Sequence, residues 1–326
     1  MDKKTVIVTG IGGNVGQGII RNIQATGFPI TVIGTNISDF SSGNHLCDLF
    51  YKVPYAEDKN YLSTLNDIIQ KHNVDLVIPA TDFEVFYLSQ QKEELLADVV
   101  VSTHDTSAIY LDKFLTFEHL NRHSIPFASA HLPSKFNNEF SNVILKPRKG
   151  RGSRGLHINP KDLSGFDDME YMVQELIFGT EITTAFYVNK KKKLHGFITF
   201  ERTLENGMTT HCKVVDTYDD QLLTILDSLI VVSNIKGSAN LQAIVNKDGE
   251  IKPFEINCRI SGTNSIRSNF GFKDVLYTLE EWLYGKQPSS PKIKKGVATR
   301  VLMDVIYNEI TDFNDAKDKS ASHYLY

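Results

Sequence analysis

The residues best equipped for chemistry lie in the last third of the chain. Gln242, Glu255 and Asn257 carry oxygen donors, and Arg259 follows two positions later. Because side chains two apart on a strand share a face, Glu255 and Asn257 are expected to point together, with Phe254 on the opposite face. A few hard oxygen donors suit Mg²⁺ that takes its other ligands from water and nucleotide phosphates. The alternative is a polar strand face that meets water.

A β-hairpin is expected to position these groups. Residues 241–245 predict an apolar strand, residues 246–249 have the composition of a turn, and residues 251–256 predict the return strand. Antiparallel pairing would bring Gln242 beside Glu255 and Asn257.

A glycine-rich basic loop, residues 148–155, forms a second candidate group between two predicted strands. It contains three glycines, one serine and four cations. Such a loop can fold its N–H groups over phosphates and close as a lid. Lys146, on the preceding strand, would point into the space that the loop covers. A mobile basic turn is the alternative, and nucleic acid is weakly supported because no aromatic residues are interleaved.

Residues 171–188 predict two strands joined by a short connector. The free C=O and N–H groups of a connector have the donor–acceptor pattern that an adenine edge requires. Glu181 follows where a ribose hydroxyl would lie, although it could equally be a surface carboxylate. Lys113 lies on a helix predicted over residues 111–123, where most lysines are solvated.

Residues 1–110 predict an α/β domain, a parallel sheet with helices on both faces, because strand-like and helical patterns alternate. A glycine loop follows the first strand, residues 5–9, and a helix is expected from about Val15 to Thr26. Gly12, Gly13 and Asn14 in this loop are candidates for binding a substrate carboxylate through backbone N–H groups. A purely structural turn is the alternative. A dinucleotide site is less favoured because no acidic residue ends the second strand.

Further substrate candidates follow other predicted strands. Asp82 lies just past a strand's carboxyl end, where ligands enter open α/β sheets, but a helix-capping role is favoured. Ser261, Gly262 and Arg267 would bind a carboxylate or an acyl phosphate, or else form a strand-to-helix turn.

The rest of the carboxyl-terminal part is expected to be structural. A helix over residues 273–284 places Trp282 in the core, a last strand covers residues 296–307, and the polar residues from 308 onward form a frayed tail. Residues 190–193, four lysines, predict a solvated hairpin tip.

Composition limits the partners. The 326 residues carry a formal net charge of −4, so no basic field recruits nucleic acid or an anionic membrane. No apolar run approaches membrane-spanning length. The 3 cysteines are far apart, which favours reduced thiols and a cytoplasmic protein. Small-molecule substrates are the expected partners, with a homodimer as the default assembly.

The order of these groups resembles that of the ATP-grasp superfamily. Lys113 comes first, then Lys146 with its loop, then the connector with Glu181, then the oxygen donors and Arg259. The final stretch, Gln…Glu-x-Asn-x-Arg-x-Ser, is most similar to the synthetase domains of the carbamoyl-phosphate synthase large subunit. The resemblance covers residues 1 to about 305. It implies an α/β domain (1–110), a two-lobed α+β ATP-grasp domain (small lobe 111–175, large lobe 176–310) and a tail (311–326).

The resemblance also implies roles for individual residues. Lys113 and Lys146 would contact the phosphates of ATP, and Arg259 with Lys146 would act in phosphoryl transfer. One or two Mg²⁺ ions, with Mn²⁺ as an alternative, would be held by Gln242, Glu255 and Asn257. The remaining nucleotide contacts would come from Arg148, Gly152, Ser153, Gln174, Glu175, Leu176, Ile177 and Glu181.

The activity implied is that of a carboxylate–amine ligase. ATP converts a carboxylate to an acyl phosphate, which the amine then attacks, so the protein needs positioning and charge neutralisation more than a nucleophile. Carbamoyl phosphate synthesis is less expected, because that enzyme is far longer and has two synthetase halves. An oxidoreductase built on the N-terminal loop and a non-catalytic ATP-binding regulatory protein are the alternatives.

Overall fold

The computed structural model describes residues 2–150, 154–317 and 321–326. Five parallel strands in the spatial order β3-β2-β1-β4-β5 form the first sheet. The strands are β1 (Lys4–Val8), β2 (Ile30–Asn36), β3 (Leu49–Lys52), β4 (Leu76–Ile78) and β5 (Asp98–Val99). The helices of this part are α1 (Asn14–Ala25), α2 (Tyr61–His72), α3 (Asp82–Gln90) and α4 (His104–Leu111).

Alternate residues of β1 send their side chains into two different cores. Val6 and Val8 pack with residues of α1, whereas Ile7 packs with residues of α2 and α3. Helices therefore cover both faces of the parallel sheet, as the alternating sequence pattern predicts.

A four-stranded antiparallel sheet forms the small lobe and follows helix α5 (Lys113–Arg122). Its spatial order is β6-β9-β7-β8. Its strands are β6 (Ala130–His131), β7 (Val143–Pro147), β8 (His157–Ile158) and β9 (Tyr171–Glu175).

The large lobe is built on a six-stranded antiparallel sheet with the order β14-β13-β10-β11-β12-β15. Helix α6 (Asp219–Val232) packs against one face, where its buried leucines meet Ile182, Phe186 and Leu241. On the opposite face, Tyr187, Ile198 and Phe200 pack against Phe272 and Tyr277, and another part of that face borders the cleft described below. The strands are β10 (Thr180–Val188), β11 (Leu194–Glu205), β12 (Met208–Val215), β13 (Gly237–Val245), β14 (Ile251–Asn257) and β15 (Val297–Thr299).

Two short helices, α7 (Asn264–Arg267) and α8 (Asp274–Thr278), follow β14, and one π-helical turn (Leu279–Leu283) extends α8. Trp282 is buried there, as predicted. The end of the chain differs from the frayed tail that we expected. A short strand, β17 (Tyr324–Leu325), pairs with β16 (Val305–Ile306), and the rings of Tyr307 and Phe313 contact Phe40.

The helix predicted over residues 111–123 begins two residues later than expected. Asp112 lies between α4 and α5 with an extended backbone, and its carboxylate accepts hydrogen bonds from the N–H groups of Phe114 and Leu115. The side chain thus caps α5 and separates it from α4. The helices in the described part of the chain are all too short or too polar to cross a bilayer.

Candidate active site

The predicted hairpin is present and brings the oxygen donors together. Gln242 on β13 pairs with Glu255 on β14. The Asn257 side-chain amide donates to Glu255 Oε1 at 3.0 Å, and the Gln242 amide donates to Asn257 Oδ1 at 3.3 Å. The three side chains therefore form one chain of hydrogen bonds on one face of the sheet.

The expectation for Phe254 is wrong. The register of the hairpin shifts between Gln242 and Ala243, so that Phe254 is an extra residue on β14. This β-bulge turns the phenyl ring toward the same cleft as Glu255. Pro253 lies at the shift and lacks the N–H group that a regular ladder would use, which is the sequence signal for the bulge.

Lys146 on β7 reaches from the small lobe to the hairpin. Its Nζ donates to the Phe254 carbonyl oxygen at 3.3 Å and lies 5.5 Å from the centre of the phenyl ring. Burial and, more weakly, the positive charge of Lys113 lower the pKa of Lys146 to about 7, against the opposing attraction of Glu255. The amine can therefore gain or lose its proton near neutral pH.

Glu255 is the carboxylate around which the cations gather. Burial raises its pKa, but Lys113, Lys146, the hydrogen bond from Asn257, and Arg259 together outweigh burial and lower the pKa below its usual value. The carboxylate is thus charged at neutral pH, which a divalent-cation ligand must be.

The base of the glycine-rich loop is tied down, and this corrects the expectation for Arg148. Its guanidinium forms an ion pair with Asp112 at 2.8 Å and donates to the Asp168 carbonyl oxygen at 2.7 Å. Arg148 is therefore a structural residue that anchors the loop to α5. Gly150 and Arg154 line the cleft, whereas Gly152 and Ser153 lie outside the described residues.

The end of β9 and the connector after it line the cleft with Gln174, Glu175, Leu176 and Ile177. Several of its polar groups are already bonded. Glu175 accepts from the Ser129 N–H group through Oε1 at 2.7 Å, and its own N–H donates to the Ser129 carbonyl. The Leu176 N–H group donates to Asn142. The connector is thus more firmly held than the predicted free linker.

Arg202 on β11 is a residue that the sequence patterns did not single out. Its guanidinium bonds Glu181 at 2.7 Å and the side-chain oxygen of Gln242 at 2.5 Å. Only the register of β10 with β11 and β13 brings these three residues together. No spacing along the chain carries that signal.

The N-terminal domain reaches the cleft through Asn14, whereas Gly12 and Gly13 are exposed and stand outside its lining. Asp82 does not cap α3, because Thr81 does so in a capping box with Glu84. Asp82 instead forms an ion pair with Arg259 at 2.6 Å. This bond joins the N-terminal domain to the end of β14.

Ser261 and Gly262 line the cleft, but the expectation for Arg267 is wrong. Arg267 is fully buried, pairs with Asp274 and donates to the hydroxyl oxygens of Ser261 and Thr263. It shapes the loop from within and presents no free guanidinium to a substrate.

The lysines, Arg202, Arg259 and the oxygen donors of the hairpin border one cleft of about 470 Å³ between the small and large lobes. Among the described residues, no three His, Cys, Asp or Glu side chains are grouped as a preformed metal site. One charged carboxylate, Glu255, and one neighbouring amide oxygen, Asn257, nevertheless fit Mg²⁺, which keeps several waters and shares the phosphates of its nucleotide. Gln242 fits less well, because its oxygen accepts a short bond from the cationic Arg202, whereas the Asn257 oxygen accepts a longer one from the neutral Gln242 amide.

The family comparisons agree with this architecture. Residues 6–102 match the PylC-like N-terminal domain, and residues 110–263 match the ATP-grasp domain. Residues 110–263 thus form an ATP-grasp domain, which follows a PylC-like N-terminal domain. The predicted fold class, a parallel-sheet domain followed by an ATP-grasp domain, is therefore confirmed. The closer resemblance to carbamoyl-phosphate synthase stays a prediction. No curated protein matches this ATP-grasp sequence.

Solved structures show the same fold at low sequence identity. An ADP complex of N5-carboxyaminoimidazole synthetase from Staphylococcus aureus superposes with a TM-score of 0.75 and 15% identity, covering 92% of this chain and 83% of that one. The biotin carboxylase domain of Hydrogenobacter thermophilus 2-oxoglutarate carboxylase gives 0.70 and 12% identity, covering 98% and 76%. An L-amino acid ligase from Bacillus licheniformis gives 0.70 and 13% identity, covering 89% and 76%.

Proposed function

We propose that this protein is an ATP-dependent ligase that activates a small carboxylate as an acyl phosphate and joins it to an amine. The observation that carries the proposal is the meeting of Lys113, Lys146 and charged Glu255 in one cleft between two lobes. The superposed structures include an ADP complex, a domain with MgADP and bicarbonate, and an amino acid ligase. The ligands and activities named for these proteins support a proposal of nucleotide-driven chemistry on a carboxylate.

The nucleotide would lie with its base at residues 174–177 and its ribose at Glu181. Lys146 and Lys113 would then contact the phosphates. Glu255 and Asn257 would hold Mg²⁺, which would supply positive charge that offsets the charge of the phosphates. Mn²⁺ has the same preference for oxygen ligands and would serve in its place.

The bonds change in two steps. In the first, a carboxylate oxygen of the substrate attacks the terminal phosphorus and ADP leaves. In the second, the amine nitrogen attacks the acyl carbon, phosphate leaves, and the nitrogen loses a proton. Arg259 and the protonated form of Lys146 would offer positive charge to the transferring phosphoryl group, and the loop around Gly150 and Arg154 would exclude water from the intermediate.

The test is Mg²⁺-dependent ADP release in a screen of small acids combined with amines. Glu255→Gln keeps the shape of the side chain but removes its charge. We expect it to reduce turnover at least about 100-fold, because the metal ion would lose its charged ligand.

Glu250→Gln is the matched control, since Glu250 lies on the same hairpin but is exposed. Full turnover by Glu255→Gln would contradict the proposal. ATP binding without ADP release under every substrate pair would favour a regulatory protein, and binding of NADH, followed by its fluorescence, would favour an oxidoreductase.

A further inference from the structure

Arg202 occupies the oxygen that Gln242 would need as a metal ligand. Its Nη2 donates to Gln242 Oε1 at 2.5 Å and to Glu181 Oε1 at 2.7 Å. The Arg202 side chain is only 9% exposed. Its bonds to Glu181 on β10 and to Gln242 on β13 hold the guanidinium in place.

The guanidinium also fixes which way the Gln242 amide faces. Arginine has only donors, so the Gln242 atom that meets it must be the oxygen. The amide nitrogen of Gln242 consequently points toward Asn257 and donates to Oδ1 at 3.3 Å. A divalent ion on the Gln242 oxygen would lie directly beside a positive guanidinium, and like charges at that distance repel.

We propose that the Arg202 guanidinium takes the place of a second metal ion. A single divalent ion then binds at Glu255 and Asn257, and Gln242 acts as a positioning residue. The inference rests on the proposed function, since it assumes that a nucleotide binds there. Both bonds from Arg202 to Glu181 end on Oε1, which leaves Oε2 to face a ribose hydroxyl.

The charges of the cleft are consistent with one divalent ion. The described lining residues include five cationic side chains and three carboxylates, an excess of two positive charges. The cations are Lys113, Lys146, Arg154, Arg202 and Arg259, and the carboxylates are Glu175, Glu181 and Glu255. A triphosphate carries about four negative charges. Because Asp82, outside the lining, pairs with Arg259, the excess is nearer one charge, and one divalent ion brings the bound triphosphate to within one charge of neutral.

The experiment counts Mn²⁺ by electron paramagnetic resonance in protein saturated with a non-hydrolysable ATP analogue. The wild type should hold one Mn²⁺ per site. Gln242→Glu should also hold one, because the new carboxylate pairs with Arg202. The double variant Gln242→Glu with Arg202→Met frees that carboxylate and should hold two. Circular dichroism confirms that each variant is folded.

Two Mn²⁺ ions per site in the wild type, or in Gln242→Glu alone, would overturn the inference. Such a result would leave the ligase proposal standing, because a two-metal ligase remains a ligase. A wild type that binds no Mn²⁺ with the analogue would contradict both this inference and the ligase proposal.

Arg202→Met should also weaken binding of the analogue at least about tenfold and make that binding less sensitive to salt, with partial recovery in Arg202→Lys. Unchanged affinity in Arg202→Met would show that the guanidinium is structural only, which also contradicts the inference.

Discussion

The protonation of Lys146 links this site to pH. Burial and Lys113 lower the pKa of the amine to about 7, while Glu255 opposes them. A phosphate brings negative charge close to the amine and favours its charged form. Nucleotide binding and proton uptake by Lys146 are therefore coupled.

ATP affinity should fall as the pH rises from 7 to 9, by up to about tenfold per pH unit. Phosphate binds the protonated amine of Lys146, and the fraction of protonated amine in the free protein falls as the pH rises above 7. Isothermal titration calorimetry in two buffers of different ionisation enthalpy measures the uptake. Lys146→Arg stays charged and should bind without it. Proton uptake that persists in the arginine variant would assign it to another group.

The same lowered pKa makes folding depend on pH. The pKa of Lys146 is about 7 in the folded protein, whereas the ordinary pKa of a lysine is 10.5. Between these values the unfolded chain binds more protons, so the free energy of unfolding rises with pH in this window. Relative to Lys146→Met, the wild type should gain about 2–3 kcal/mol between pH 6 and pH 9. Urea unfolding at both pH values measures the difference, and equal pH slopes for the two proteins would contradict the prediction.

At the scale of single elements, Asp112 joins the start of α5 to the glycine-rich loop. Its carboxylate caps the helix and also receives three guanidinium bonds from Arg148. Lys113, the next residue, is a phosphate candidate whose N–H donates to the Arg148 carbonyl at 2.9 Å. One buried ion pair thus sets the position of both the helix and the loop.

Arg148→Met should lower the free energy of unfolding by about 3 kcal/mol, because it leaves the buried Asp112 carboxylate without its cation. Asp112→Asn in the same chain should recover part of the loss, since an amide can still cap α5. A double-mutant cycle followed by urea unfolding measures the coupling. Arg122→Met, on the exposed face of α5, is the matched control and should change stability by less than about 0.5 kcal/mol. Additive effects of the two substitutions would mean that the pair is not coupled.

The hairpin could be predicted from sequence because each of its features is local. Alternation, the turn at residues 246–249 and the spacing of Glu255 and Asn257 all lie within a few residues of one another. Arg202 could not be predicted, because its role depends on the register of three strands. The bulge at Phe254 changed which side chains reach the cleft, although Pro253 carried a local signal for it.

Ion pairs formed in the folded protein also explain why two arginines were wrongly predicted to bind nucleotide or substrate. Arg148 and Arg267 have the residue type and the loop position of anion-binding groups. Both are instead paired with buried aspartates, Asp112 and Asp274. A sequence pattern indicates where a cation lies along the chain, but only the packed structure shows whether an internal carboxylate already neutralises it.

At the scale of the whole molecule, the N-terminal domain and the large lobe share one core. Ile19, Ile20 and Ile23 of α1 pack with Val275, Leu279 and Trp282 from the end of the large lobe. The small lobe has a separate, much smaller core around Val143, Leu145 and Val173. We expect the first two parts to unfold together and the small lobe to open more easily over the cleft.

Gly18→Ala tests this shared core. Alanine normally stabilises a helix interior relative to glycine by about 1 kcal/mol. Here a Cβ atom on Gly18 would lie 2.3 Å from Asn264 Oδ1. Asn264 cannot turn away freely, because it is fully buried and bonded to Asn22, Val15 and Ser261. We therefore expect a loss of about 2 kcal/mol in place of the usual gain.

Hydrogen exchange followed by mass spectrometry shows which parts of the protein lose stability in Gly18→Ala. Because the two parts share a core, exchange should quicken both in α1 and in residues 261–283, and change little in the small lobe. Gly165→Ala, where a Cβ meets no atom within 4 Å, is the control and should alter neither region. Faster exchange confined to α1 would mean that the N-terminal domain opens on its own. The cleft would then lose its fixed wall at Asn14, because the packing of α1 against the α7 region helps to hold that wall beside Gly262.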